Sequence, residues 1–136
     1  VDDYLIPFLK NQNKNNVIIH RTLNTTGIPE SALSELLGDI SQLTSGTGLA
    51  FLPAPTGVKL RISAQGSNRI LVQKIVDDVE FKIRVKAETH IYSVGDEALE
   101  EVVSKLLTDN NLTIAVAESC TGGLIADRIT NVSGIF

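Results

Sequence analysis

Leu49–Ala64 reads LAFLPAPTGVKLRISA, and its two halves decide the fold. Val58, Leu60, Ile62 and Ala64 alternate with Lys59, Arg61 and Ser63, the period-two pattern of a strand with one buried and one wet face. Leu49–Leu52 is a second apolar run, and the Pro53-Ala54-Pro55-Thr56-Gly57 between the two has the residues of a turn. The pair therefore predicts a hairpin. Before it, Leu33, Leu36, Leu37 and Ile40 recur at i, i+3, i+4 and i+7, one apolar face of a helix. Pro29 suits the first turn of that helix, and Ser45-Gly46-Thr47-Gly48 ends the element. After the hairpin, Asn68 is a candidate N-cap for a longer helix striped by Val72, Ile75, Val76, Val79 and Ile83. Val17–Leu23 (VIIHRTL), rich in β-branched residues, reads as a strand, and His90–Ser93 (HIYS) as a last short strand. The order is β-α-β-β-α-β, an α+β fold of the split β-α-β, ferredoxin-like kind, with helices on one face of a mainly antiparallel sheet.

The flanks and the composition narrow the possibilities. Tyr4–Lys10 reads as a short helical lead-in, and Asn11–Asn16 (NQNKNN) as a solvated loop. The chain has 136 residues, 43% hydrophobic and 21% charged, enough for a core in one domain or two small ones. No apolar run nears the ~20 residues of a bilayer span, and the opening VDDYLIPFLK lacks the n-region and cleavage site of a signal peptide. One Cys cannot make an internal disulfide, and one Cys with two His cannot make a closed zinc site, so no metal is expected; no cofactor is expected either. The net charge of −4 disfavours a general nucleic-acid binder. Residue 1 is Val and Met is absent, while Ser133-Gly134-Ile135-Phe136 ends on two large apolar residues; the expectation is a piece cut at both ends.

Charge divides the chain near Gly95. Residues 1–95 carry ten Lys and Arg against nine Asp and Glu, and residues 96–136 carry two against seven. In the acidic part Asp96 is a candidate cap for a helix bearing Leu99, Val102, Val103, Leu106 and Leu107, with Glu97, Glu100 and Glu101 favoured by its dipole. Asp109-Asn110-Asn111 breaks it. Leu112–Ala117 (LTIAVA) is nearly all apolar, as in a strand buried on both faces of a parallel sheet. Glu118-Ser119-Cys120-Thr121-Gly122-Gly123 follows, then a helix bearing Leu124, Ile125, Ile129 and Val132.

A strand, a sharp turn and a helix point free N–H groups and a positive dipole end at one spot, which accepts a phosphate or a developing oxyanion. Gly122 and Gly123 allow close approach, and Ser119, Cys120 and Thr121 offer two hydroxyls and a thiol. The same residues also read blandly. Ser and Thr are ordinary N-caps, the glycines permit tight helix–strand packing, Cys120 is a small hydrophobe, and Glu118 is a carboxylate at a dipole end. The spacing is no P-loop, since no Lys-Ser/Thr follows the glycines.

Leu112–Ile129, LTIAVAESCTGGLIADRI, resembles the signature of the CinA family, with AESCTGGLIA its most specific part. His20-Arg21-Thr22-Leu23 and Thr26-Gly27-Ile28-Pro29-Glu30-Ser31 resemble the start of that family's middle, KH-like domain, and Ile91-Tyr92 through Val103 its junction with the C-terminal domain. The resemblance implies three parts: residues 1–16 as the tail of an N-terminal domain, 17–95 as a KH-like domain, and 96–136 as the start of a nicotinamide-nucleotide amidase domain. It implies a cytoplasmic protein, often self-associating, that hydrolyses the carboxamide of nicotinamide mononucleotide to nicotinic acid mononucleotide and ammonia. Ser119 then matches the nucleophile. Cys120, Thr121, Gly122 and Gly123 would supply donors for the oxyanion or the substrate's phosphate, with Glu118 in support. The family draws the activating base from a Tyr and a Lys after the next strand, and no such pair lies in the residues after Ser119. The expectation is a nucleophile turn without its activator, inactive in these 136 residues. The rival reading is a KH-like nucleic-acid or interdomain module. No GxxG occurs in residues 1–95 and aromatics are scarce, which disfavours the nucleic-acid form.

Overall fold

The computed structural model describes Phe8, residues 16–44 and residues 47–134. Apart from Phe8 and Asn16, the lead-in and the polar loop expected over residues 4–16 lie outside it, as do Ser45, Gly46, Ile135 and Phe136. Four strands form one antiparallel sheet: β1 (Val17–Thr25), β2 (Gly48–Ala54), β3 (Gly57–Gly66) and β4 (Ile91–Val94), in the order β2-β3-β1-β4. Helices α1 (Glu30–Leu37), α2 (Ile40–Thr44) and α3 (Arg69–Ala87) cover one face, and the split β-α-β fold is the one expected.

The hairpin is longer and its turn tighter than the sequence suggests. Ala54 pairs with Gly57, leaving Pro55-Thr56 as a two-residue loop. Gly57 takes φ +147, and a Cβ there would lie 2.0 Å from the Thr25 carbonyl oxygen, so β1 and the hairpin meet where only glycine fits. Val58, Leu60, Ile62 and Ala64 face the helices and are buried with Leu23. Asn68 accepts from the Ile70 and Leu71 amides and starts α3, whose Val72, Val76, Val79, Ile83 and Ala87 are buried. Burying each Val and Ile among them contributes about 1.5–3 kcal/mol. Ile75, expected in this stripe, is 42% exposed because it stands on the stripe's flank.

Three more local expectations are corrected. The helix read through Ile40 breaks after Leu37, where Gly38 turns left-handed at φ +74 and Asp39 restarts the chain by accepting from the Ser41 amide and hydroxyl. Leu33 and Leu37 stay buried, while Leu36 turns outward. Pro29 stands at the N-cap position, one residue before α1 rather than within its first turn. His90 closes a 3-10 turn, so β4 begins one residue later.

One polar link crosses from sheet to helix, and another joins neighbouring strands to the chain after β4. Arg21 lies on the helix-facing side of β1, opposite Ile62, and its guanidinium meets Glu80 and, at 3.1 Å, Asp77 of α3. Asn24, 1% exposed, donates through Nδ2 to Ser93 Oγ at 2.8 Å and to the Gly95 carbonyl at 3.0 Å. Ser93 in turn donates to the Glu97 carbonyl. The junction after β4 is thus fastened to the middle strand of the domain before it.

Beyond the junction, the described residues form two helices, α4 (Leu99–Asp109) and α5 (Leu124–Thr130). Asp96 does not cap α4. Ala98 holds the N-cap position, and the Glu101 carboxylate accepts from its amide at 2.7 Å. Leu112–Ala117 forms no strand and is exposed throughout, with Leu112, Ile114 and Val116 at 62%, 47% and 42%. A strand is defined by its neighbour, and no described segment pairs with this one. The apolar face of α4 is accordingly only half-buried, and Leu106 is exposed.

Candidate functional site

The turn that carries Ser119 is open to solvent. Ser119, Cys120, Thr121 and Gly122 are exposed, and Glu118 and Gly123 are half-buried. Gly122 at φ +62 and Gly123 at φ +93 are both left-handed, with open space where a Cβ would stand. The glycines therefore serve the backbone path of the turn and not tight helix–strand packing. The Gly122 amide donates to the Ser119 carbonyl and the Leu124 amide to the Thr121 carbonyl, closing two short turns ahead of α5.

The cap of α5 comes from upstream. Gly123 occupies the N-cap position and has no side chain to offer. Glu118 reaches over the turn instead, accepting from the Thr121 hydroxyl at 2.6 Å, the Ile125 amide at 2.9 Å and the Ala126 amide at 2.8 Å. The Thr121 hydroxyl above all, and then the two amides, hold the Glu118 carboxyl below its usual range. Helix α5 is tied to α4 by Arg128, whose guanidinium contacts Glu100 at 2.6 Å.

Glu118 and Thr121 are thus in contact, and Gly122 and Gly123 shape the loop around them. Among the described residues no side chain hydrogen-bonds the Ser119 hydroxyl, and the amides of Cys120 and Thr121 make no hydrogen bond. Sequence reasoning missed the Ile125 and Ala126 amides as Glu118's partners, although a carboxylate ahead of a helix that starts on glycine was the available signal. Two apolar hollows of about 310 and 300 Å³ flank α5, lined by Leu107, Ile114, Val116 and Ile129 and by Val103, Ile114 and Ile125, and neither includes the turn.

Other candidate groups lie in the first domain. His20 is exposed on the open face of the sheet, not packed, and shares a 2.8 Å hydrogen bond with Ser63. It borders a cavity of about 720 Å³, with Lys74 and Asp78. His90 offers only its carbonyl, which accepts from the Thr26 amide. Among the described residues no group of three or more His, Cys, Asp or Glu could hold a metal, and no helix is long and apolar enough to cross a membrane.

Two family models match the chain. The one described as "Damage-inducible protein CinA KH domain" covers residues 20–93, and the one described as "CinA C-terminal domain" covers residues 96–136. The chain belongs to the CinA family. A CinA-like protein of Chloroherpeton thalassium is 43% identical over 131 residues, 96% of this chain and 31% of that protein. A CinA-like protein of Salinibacter ruber is 45% identical over 129 residues, 94% of this chain and 31% of that protein. A protein of Caldicellulosiruptor saccharolyticus, provisionally named a competence-damage inducible protein, is 40% identical over 133 residues, 98% and 32%. The chain spans about a third of the length of the curated CinA relatives it matches. The Ser119 turn falls within the part matched by the CinA C-terminal domain.

Proposed function

We propose that this chain carries the nucleophile turn of a nicotinamide-nucleotide amidase. In this reading Ser119 attacks the carboxamide carbon of nicotinamide mononucleotide. Ammonia leaves, water releases the acyl group, and nicotinic acid mononucleotide is the product. The supporting observation is an exposed Ser119 on a turn with two left-handed glycines, inside the part that matches the CinA C-terminal domain. A serine hydroxyl needs a base, and no described side chain hydrogen-bonds this one. These 136 residues alone are therefore inactive in this reading. The test is ammonia release from nicotinamide mononucleotide. A full-length protein bearing this sequence releases ammonia, its Ser119→Ala variant does not, and these 136 residues alone do not. Turnover that survives Ser119→Ala overturns the assignment. A cytoplasmic setting and self-association belong to the same reading, and the single cysteine fits a reducing compartment.

The second reading makes the KH-like half an interdomain module, supported by the Asn24 and Ser93 links to the junction. Nucleic-acid binding is its weaker form. Lys82 and Arg84 are paired with carboxylates of their own helix, and Lys86 donates to the Leu37 carbonyl, which removes three basic groups from any phosphate track. A gel shift with single-stranded RNA at low salt tests it, and the expected outcome is no shift.

A further inference from the structure

We propose that the outer face of α3 is a contact between two copies of this protein, formed where α3 packs antiparallel against α3 of a second copy. Val72, Val76, Val79 and Ile83 turn to the sheet, and the far side of such a helix is ordinarily polar. Here Ile70, Leu71, Phe81 and Val85 stand on it, 57% to 70% exposed. Ile70, Lys74, Phe81 and Val85 follow at steps of four, seven and four, which sets them in one row along the helix. Single exposed apolar side chains are ordinary, whereas a row of them that includes a phenyl ring marks a contact surface.

The order along the row points to its occupant. Apolar residues hold both ends, charges hold the middle, and the midpoint falls between Asp77 and Asp78. Ile70 lies seven residues before Asp77 and Val85 seven after Asp78; Lys74 lies three before and Phe81 three after. A two-fold axis at that midpoint sets Ile70 against Val85 of the second copy and Lys74 against Phe81 of the second copy, each twice. The Lys74 ammonium then meets that ring and, one turn along, Asp78 of the second copy. Among the described residues Lys74 makes no salt bridge, so it is free to do this. The acids nearest the axis bring cations of their own, Arg21 at 3.1 Å from Asp77 and Lys82 at 2.6 Å from Asp78. A parallel pair would set each Lys74 beside Lys74 and each Asp78 beside Asp78, and like charges exclude it. An anionic lipid surface is disfavoured by the carboxylates in the middle of the row. The proposal supplies a surface for the self-association named above and needs nothing from the amidase chemistry.

The test uses the full-length protein bearing this sequence in a cysteine-free background, Cys120→Ser included. Asp78→Cys places a thiol beside the axis, and mild oxidation is expected to give a covalent dimer on a denaturing gel. Arg61→Cys, exposed on the sheet face away from the helices, is expected to give none. Adding Phe81→Asp slows the Asp78→Cys cross-link on the order of 10-fold or more, because the ring is the main apolar anchor. Phe81 is exposed, so a single copy keeps its fold, which thermal unfolding checks; Val85→Asp replaces it should the fold be lost. No cross-link above the Arg61→Cys control overturns the proposal. Sedimentation of the parent protein then separates the failures, since a dimer means self-association through another surface and a single copy means none. A cross-link that Phe81→Asp and Val85→Asp leave unchanged is random collision and overturns it too. A parent protein that floats with phosphatidylglycerol vesicles, and ceases to in Phe81→Asp, makes the row a membrane face and overturns it as well. Ammonia release from nicotinamide mononucleotide is a separate readout, so the amidase reading stands or falls by itself.

Discussion

Asn24 Nδ2 donates to Ser93 Oγ at 2.8 Å, joining strands whose residues lie 69 positions apart in the chain. The same amide donates to the Gly95 carbonyl, and its Oδ1 is a buried side-chain acceptor without a partner among the described residues. The interaction therefore works through the donor side alone.

Asn24→Ala strands the acceptors at Ser93 and Gly95 and destabilises the first domain by about 1–3 kcal/mol. Asn24→Asp is worse, because it buries a charge and supplies no donor. Urea titration of each variant measures the loss, and amide exchange at Ser93 and Gly95 locates it. An Asn24→Ala variant as stable as the parent contradicts the assignment.

Gly57 and Gly95 separate crowding from conformation. At Gly57 an added Cβ meets the Thr25 carbonyl oxygen at 2.0 Å, and backbone must move. Gly57→Ala is expected to cost on the order of 3 kcal/mol or more. Gly95 has φ +86 with open space, so Gly95→Ala costs about 1–2 kcal/mol from the left-handed backbone alone. Thermal unfolding of the pair gives the order, and equal losses would mean that β1 does not press on the hairpin.

Ile83 and Ile75 share a helix and differ in burial, at 0% and 42% exposed. Ile83→Ala leaves a cavity between α3 and the sheet and costs about 2–5 kcal/mol. Ile75→Ala costs under about 1 kcal/mol. Chemical denaturation decides between this and the even apolar stripe read from the sequence.

The Glu100–Arg128 pair links α4 and α5 with both side chains partly in water. Arg128 holds the Glu100 carboxyl below its usual range. A lowered folded-state value means that the stabilisation is complete above the ordinary carboxylate value of about 4.3 and is lost as pH falls through the folded value. Solvent screening keeps it small, and molar salt erases it. Protection of the α5 amides, taken against intrinsic exchange at the same pH, is expected to fall on acidification through the folded Glu100 value, and in Arg128→Ala at neutral pH. A contribution that survives molar salt would mean a far more buried pair.

What the sequence makes legible here is periodic or local. The alternation through Val58–Ala64 and the Asn68 cap are read within one or two turns of chain, and the structure keeps both. The break at Gly38 is hidden because apolar spacing runs on through Ile40, whereas the helix ends for a left-handed residue that spacing does not record. The Asn24 link is hidden because its partners are far away in sequence. Leu112–Ala117 misleads in the opposite sense: its composition suits a strand, but pairing requires a second segment. At the candidate site the glycine turn is legible, while the use Glu118 makes of the α5 amides depends on a side chain folding back over seven residues.

Arg21 acts as an alignment key for the sheet. Sliding β1 by one residue along β3 would turn Leu23 to water and bring Thr22 and Asn24 under the helices. Asp77 would then lose its Arg21 partner, and Glu80 would keep only Arg84 of its own helix. Few neighbouring pairings are so costly in both oil and charge at once, so the first domain has one way to zip its central strands.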